Sequence, residues 1–217
     1  MTLSTGPAAA RSRLHRSVAG LALLAAIALA AACGAKTPTL PKLGTDAVVL
    51  AFGDSLTLGT GARTNESYPA RLQERIGRKV ESAGVPGEVS AAALARLPSA
   101  IDYYQPQLLI LCSGGNDFLR RRGKQQAAEN IRAMVRLARD KGVSVMLIAV
   151  PEPGLAPSPP GFYADIASEF GIPYEDAALA AILRDNEFKS DLIHPNAKGY
   201  ARLAEAVAAV LKQSGAI

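Results

Sequence analysis

Short, almost uninterrupted apolar runs, set between amphipathic stretches, restrict the fold of this chain more than any other feature. Ala47–Phe52 carries no polar side chain, and Gln107–Cys112 and Val143–Val150 carry one each. A strand with one wet face alternates apolar and polar residues, whereas a strand of a parallel sheet is covered on both faces and does not. Lys79–Ala83 and Ile172–Tyr174 are weaker strand candidates. Between the strands the period changes. In Lys124–Asp140, the residues Ala128, Ile131, Val135 and Ala138 recur at spacings of three and four, the signature of one buried helix face. Gly142 ends that helix. Further helices are predicted over Tyr68–Ile76, with Pro69 tolerated in the first turn, over Ser90–Leu97, stopped near Pro98, and over Phe162–Phe170 and Ala197–Leu211. The proline-rich stretch Pro151–Pro160 reads as a stiff surface loop.

Strands alternating with helices, joined by right-handed crossovers, give an α/β domain over residues 46–217. The expected architecture is a three-layer α/β/α sandwich around a central parallel sheet of about five strands, flavodoxin-like in outline. Reactive groups in such sheets gather at the carboxyl ends of the strands. Ser55 follows the first strand, Gly87 the second and Asn116 the third, while Asp191 and His194 precede the last helix.

The N-terminal segment has a different character. Arg11, Arg13 and Arg16 precede a charge-free apolar stretch, Val18–Ala32, that ends in alanines before Cys33. Basic, then apolar, then small is the order of a secretory signal, and the stretch is shorter than the roughly 20 residues of a membrane span. Ala30-Ala31-Ala32-Cys33 resembles the bacterial lipobox, with Ala30 where leucine is usual. The expectation is a removable signal over residues 1–32, lipidation of Cys33, a tether over 33–45, and export to the periplasmic side of a membrane as a lipoprotein. Ordinary cleavage near Ala32 and an uncut helix are the alternatives. The three leader arginines supply much of the +5 net charge, so no nucleic-acid partner is expected. Arg120-Arg121-Arg122 with Lys124 reads as a solvated face. Cys112 reads as a small buried apolar residue. No cysteine or histidine cluster has ligand spacing, so neither metal nor cofactor is expected. A compact monomer is the default.

With the leader removed, His194 is the sole imidazole. It sits in Asp191-Leu192-Ile193-His194, where a carboxylate three residues back can orient its ring. Ser55, in Gly53-Asp54-Ser55-Leu56, is a hydroxyl at a strand end that needs such a base to become a nucleophile. Taken singly, the serine reads as a helix cap, the histidine as a surface residue and the aspartate as a helix N-terminal charge. Together they have the composition of a Ser-His-Asp triad. Acyl transfer also needs donors for an oxyanion. Asn116, in Ser113-Gly114-Gly115-Asn116-Asp117, supplies a neutral amide, and the backbone N–H of Gly87 or of Gly84 a second donor.

These blocks, in this order, resemble the SGNH hydrolases, also called the GDSL family, whose four signature residues match Ser55, Gly87, Asn116 and His194. The resemblance spans about Val48 to Leu211 and is closest to the small bacterial thioesterase I, arylesterase and lysophospholipase branch. It departs from that branch at Glu88, where aspartate is usual. It implies a serine esterase acting on carboxylic esters or thioesters through an acyl-serine, with Ser55, Gly87 and Asn116 forming the oxyanion hole. An O-acetyl esterase for envelope polysaccharide, a catalytically idle lipoprotein scaffold and a flavodoxin-like binding module are the other readings. Substrate choice is expected to lie with the loops Leu58–Ser67 and Leu155–Phe162.

Overall fold

The five strands are β1 (Val48–Gly53), β2 (Lys79–Gly84), β3 (Leu108–Cys112), β4 (Ser144–Ile148) and β5 (Tyr174–Glu175). All are parallel, in the spatial order β2-β1-β3-β4-β5. This computed structural model describes Met1 and residues 37–217; the expected signal, residues 1–32, and the expected lipidation site, Cys33, lie outside the described residues. The interior strands β1, β3 and β4 bury almost every side chain, which is why their sequences do not alternate. Strand β2 lies at an edge and is half exposed, so it can carry Lys79 and Glu81. The fifth strand falls at Tyr174–Glu175, later than the expected Ile172–Tyr174. Ile172 is buried before the ladder starts, and burial rather than pairing accounts for its apolar character.

The helices are α1 (Ser55–Leu58), α2 (Tyr68–Ile76), α3 (Ser90–Tyr104), α4 (Gly115–Leu119), α5 (Lys124–Asp140), α6 (Phe162–Phe170), α7 (Ala178–Arg184) and α8 (Ala197–Gln213). Helix α2 packs on α8, and α3 on α5. Because the chain steps from β1 to the edge at β2 and then back past it to β3, right-handed crossovers place these two pairs on opposite faces of the sheet. None of the described helices is long and apolar enough to cross a membrane.

Three expectations change. Pro98 does not stop its helix, because α3 runs through it to Tyr104. An interior proline costs about 3 kcal/mol, and burial of Leu97, Ala100 and Ile101 against the sheet offsets it. Helix α7 was not expected from its alanine-rich sequence; it buries Leu179, Ile182 and Leu183, and the Glu175 carboxylate accepts the N–H groups of Ala177 (3.1 Å) and Ala178 (2.9 Å) at its start. The expected tether is not free along its whole length. Leu40 N–H donates to Ser214 O (2.9 Å) and Leu43 N–H to Ala216 O (2.8 Å), and Leu43 is buried.

Candidate active site

The turn after β1 is shaped by Asp54. Its Oδ1 accepts the Leu56 N–H (3.0 Å) and so caps α1, leaving Ser55 as the first helical residue. The Ser55 N–H is thereby one of the donors that a helix start leaves without an intrahelical acceptor. Gly53, the last residue of β1, pairs with both Gly84 and Cys112. A Cβ on Gly84 would lie 2.2 Å from Leu58 N and 2.7 Å from Asp54 O. Gly84 is thus a spacer behind the serine turn, and close backbone approach explains it.

His194 arrives from the far end of the chain. The Asp191 Oδ1 accepts the N–H groups of Ile193 and His194, both at 2.8 Å, curling the chain so that the ring three residues on returns to the same carboxylate. Ser190 N–H to His194 O (2.9 Å) closes the loop. The contact between His194 Nδ1 and Asp191 Oδ2 is 2.8 Å, and that between His194 Nε2 and Ser55 Oγ is 3.0 Å. A carboxylate only accepts, so Nδ1 carries the proton and Nε2 is left to accept from the serine hydroxyl. Partial burial works against the charge on Asp191, but the Ile193 N–H, the His194 ring and the His194 N–H outweigh it and hold its carboxyl below the ordinary range.

Asn116 stands in the first turn of α4, and its Nδ2 donates to Asp54 Oδ2 at 3.0 Å. The acceptor-only carboxylate fixes which way the amide faces, leaving the second Nδ2 hydrogen free for another acceptor. Nothing in the linear sequence marks Asp54 for this role beyond its place between Gly53 and Ser55. Its depth has an electrostatic consequence. Burial pushes the Asp54 carboxyl up to about 6, against the Leu56 N–H, Asn116 and His194, which favour the charged form. A buried carboxylate beside this turn also disfavours an anionic ligand there, as a flavodoxin-like phosphate site would require.

A stability prediction follows with a definite sign. The folded-state value lies above the unfolded one, so Asp54 contributes stability that is full below about pH 4 and lost as pH rises through about 6. The difference corresponds to about 3 kcal/mol. Urea unfolding of the wild type and of Asp54→Asn should show the wild type losing about 2 kcal/mol of this relative to the variant between pH 4 and pH 7. A difference that grows in favour of the wild type would contradict the assignment.

A cavity of about 40 Å³ adjoins Ser55, Asn116 and His194, with Leu119, Val150, Pro157 and Leu183 among its apolar walls. One wall comes from the proline-rich loop, which Arg184 Nη2 holds by donating to Pro157 O (2.6 Å). Gly87 is not among the residues lining this cavity. It occupies a turn after β2 closed by Glu88 N–H onto Val85 O (3.1 Å). Arg120, expected to be solvated, is exposed, and its Nη2 donates to Gly87 O at 2.9 Å.

The chain is similar to a known family and to several characterised proteins. The profile of the GDSL-like Lipase/Acylhydrolase family matches residues 51–202. Esterase TesA of Pseudomonas aeruginosa is 34% identical over 110 residues, covering 48% of this chain and 55% of that protein, so this chain aligns with about half the length of that relative. Thioesterase 1/protease 1/lysophospholipase L1 of Escherichia coli strain K12 is 28% identical over 156 residues, covering 68% of this chain and 75% of the relative. Among solved structures, a crystal structure of TesA superposes with a TM-score of 0.69 at 29% identity, over 76% of this chain and 98% of the other. The SGNH-hydrolase family esterase AlinE4 superposes with a TM-score of 0.61 at 28% identity, over 80% and 98%. With its family profile spanning both the serine turn and the histidine loop, the chain belongs to the GDSL-like lipase/acylhydrolase family.

Proposed function

We propose that the protein is a serine esterase that hydrolyses short-chain carboxylic esters or thioesters through an acyl-serine. The observation that carries this reading is the 3.0 Å contact between Ser55 Oγ and a His194 ring whose other nitrogen meets Asp191 at 2.8 Å. Ser55 Oγ attacks the acyl carbonyl carbon while its proton passes to His194 Nε2. Asp191 holds the ring tautomer and stabilises the imidazolium that forms. The carbonyl oxygen becomes an oxyanion, met by the N–H groups of Ser55 and Gly87 and by the Asn116 amide. Collapse expels the alcohol or thiol, protonated by His194. Water then adds to the acyl-serine with His194 again as base, and the acid leaves with Ser55 restored.

The cavity favours small acyl groups. At about 10–15 Å³ per water, 40 Å³ holds roughly three water-sized atoms, the scale of an acetyl group, so a longer acyl chain would have to extend out of the cavity. The acetyl esters of a polysaccharide fit the same cavity and form the second reading. Incubating the purified full chain with a fluorophosphonate probe should leave Ser55 covalently labelled, and p-nitrophenyl acetate and butyrate should be turned over faster than the dodecanoate. Release of acetate from acetylated xylan at a higher kcat/KM would favour the second reading. An unlabelled chain would leave only the idle scaffold. The intact mass of the same preparation reports whether Cys33 carries lipid, as lipoprotein anchoring requires.

A further inference from the structure

The proposed oxyanion donors come from elements far apart in sequence. Asn116 stands on α4, and Gly87 on the loop between β2 and α3. The chain does not hold them at a fixed separation, but a set of side-chain contacts does. Asp117, next to Asn116 and buried, accepts the N–H and the hydroxyl of Ser90 at the start of α3, both at 2.8 Å. One turn after Asn116, Arg120 Nη2 donates to Gly87 O at 2.9 Å. Helix α4 therefore grips the loop at Gly87 and at Ser90, with Asn116 on the same short helix. Glu88 is braced separately by Arg96, whose Nε and Nη2 meet its carboxylate at 2.9 and 2.7 Å, and whose guanidinium lies 4.1 Å from the centre of the Phe52 ring.

We propose that Arg120 is a positioning residue for the oxyanion hole: by fastening the carbonyl of Gly87 to the helix that carries Asn116, it sets the spacing between the two donors. This rests on the reading that both are oxyanion donors. The Asp117 contacts are buried and join the first residue of α3 to α4. The Arg120 contact is exposed, where a single hydrogen bond adds little to folding. Displacing a donor by about 1 Å, in contrast, can cost a reaction up to roughly 10²-fold. Gly87 itself holds a backbone conformation that few residues adopt. Its φ is +74°, at the third position of the Val85–Glu88 turn, the signature of type II. The central peptide of that turn carries the Gly87 N–H, and the type I form turns the same peptide over. A Cβ at residue 87 would meet only the tip of Arg120, at 3.2 Å, so a side chain is opposed there by φ and not by space.

The test measures kcat and KM separately on p-nitrophenyl acetate for the full chain and for Arg120→Ala, Arg120→Lys, Gly87→Ala and the Arg120→Ala/Gly87→Ala double variant. For Arg120→Ala the expected kcat is about tenfold lower, with KM within about twofold and Tm within about 2 °C of the wild type. Lysine should restore part of the loss, because an ammonium can donate to the same carbonyl. The double variant should be no slower than Gly87→Ala alone, since Arg120 acts only through that loop. A raised KM with unchanged kcat would make Arg120 a substrate contact and overturn the proposal, as would independent, multiplying losses in the double variant. Full activity in Gly87→Ala would remove Gly87 from the hole and this proposal with it. An unchanged kcat in Arg120→Ala alone would end the proposal and leave the Gly87 reading standing.

Discussion

Ser55→Ala is expected to lower kcat for p-nitrophenyl acetate by about 10⁴-fold or more while leaving the fold intact. The hydroxyl removed is the one 3.0 Å from His194 Nε2. Neither the Asp54 cap on Leu56 nor the Asn116–Asp54 bond involves it, so circular dichroism and Tm should match the wild type. His194→Ala should lose activity on the same scale. The two losses should not multiply, because nucleophile and base act as one unit and either alone is ineffective. Measured kinetics for the two single variants and the double decide the matter. Retained turnover in Ser55→Ala would place the chemistry elsewhere, and multiplying losses would mean that the two residues act in separate steps.

Gly53→Ala should have the largest effect on stability. A Cβ at residue 53 would lie 2.0 Å from the Cys112 carbonyl oxygen and 2.7 Å from Thr57 Oγ1. The first obstacle is backbone of the neighbouring strand β3, which cannot rotate aside as a flexible side chain does. Strand β1 must shift at its carboxyl end, at a cost of about 3 kcal/mol, or a fall in Tm on the order of 10 °C. Because Ser55 follows two residues later, the shift should also move Oγ from His194 and lower kcat. Urea denaturation together with kinetics tests both parts. A variant as stable as the wild type would mean that β1 and β3 do not approach as closely as described.

The layering of the domain was legible because it rests on side-chain pattern. Buried parallel strands must be apolar on both faces, and α5 must repeat its apolar face every three or four residues, so Leu108–Cys112 and Lys124–Asp140 stand out in one dimension. Pro98 misled because local propensity predicts an end to the helix there, whereas the buried face continuing through Ala100 and Ile101 carries it onward. The fifth strand misled for a related reason: burial of Ile172 imitates strand pattern just before the pairing at Tyr174. Arg120 is exposed, as its place in a charge run predicts, but its bond to a backbone carbonyl distant in sequence has no side-chain signature.

The sequence alone singles out a hydroxyl, an imidazole and a carboxylate, because few residue types combine as nucleophile, base and orienter and His194 is the only histidine after His15. It also explained the Asp191–His194 spacing, since a turn of that length returns the ring to the carboxylate. Tertiary structure alone decided the work of Asp54, the facing of the Asn116 amide and the fastening of the Gly87 loop. Those depend on burial and on contacts between separate elements. The free energy of a carboxylate or an exposed guanidinium is set by what the fold brings to within about 3 Å of it, and linear order does not record that distance.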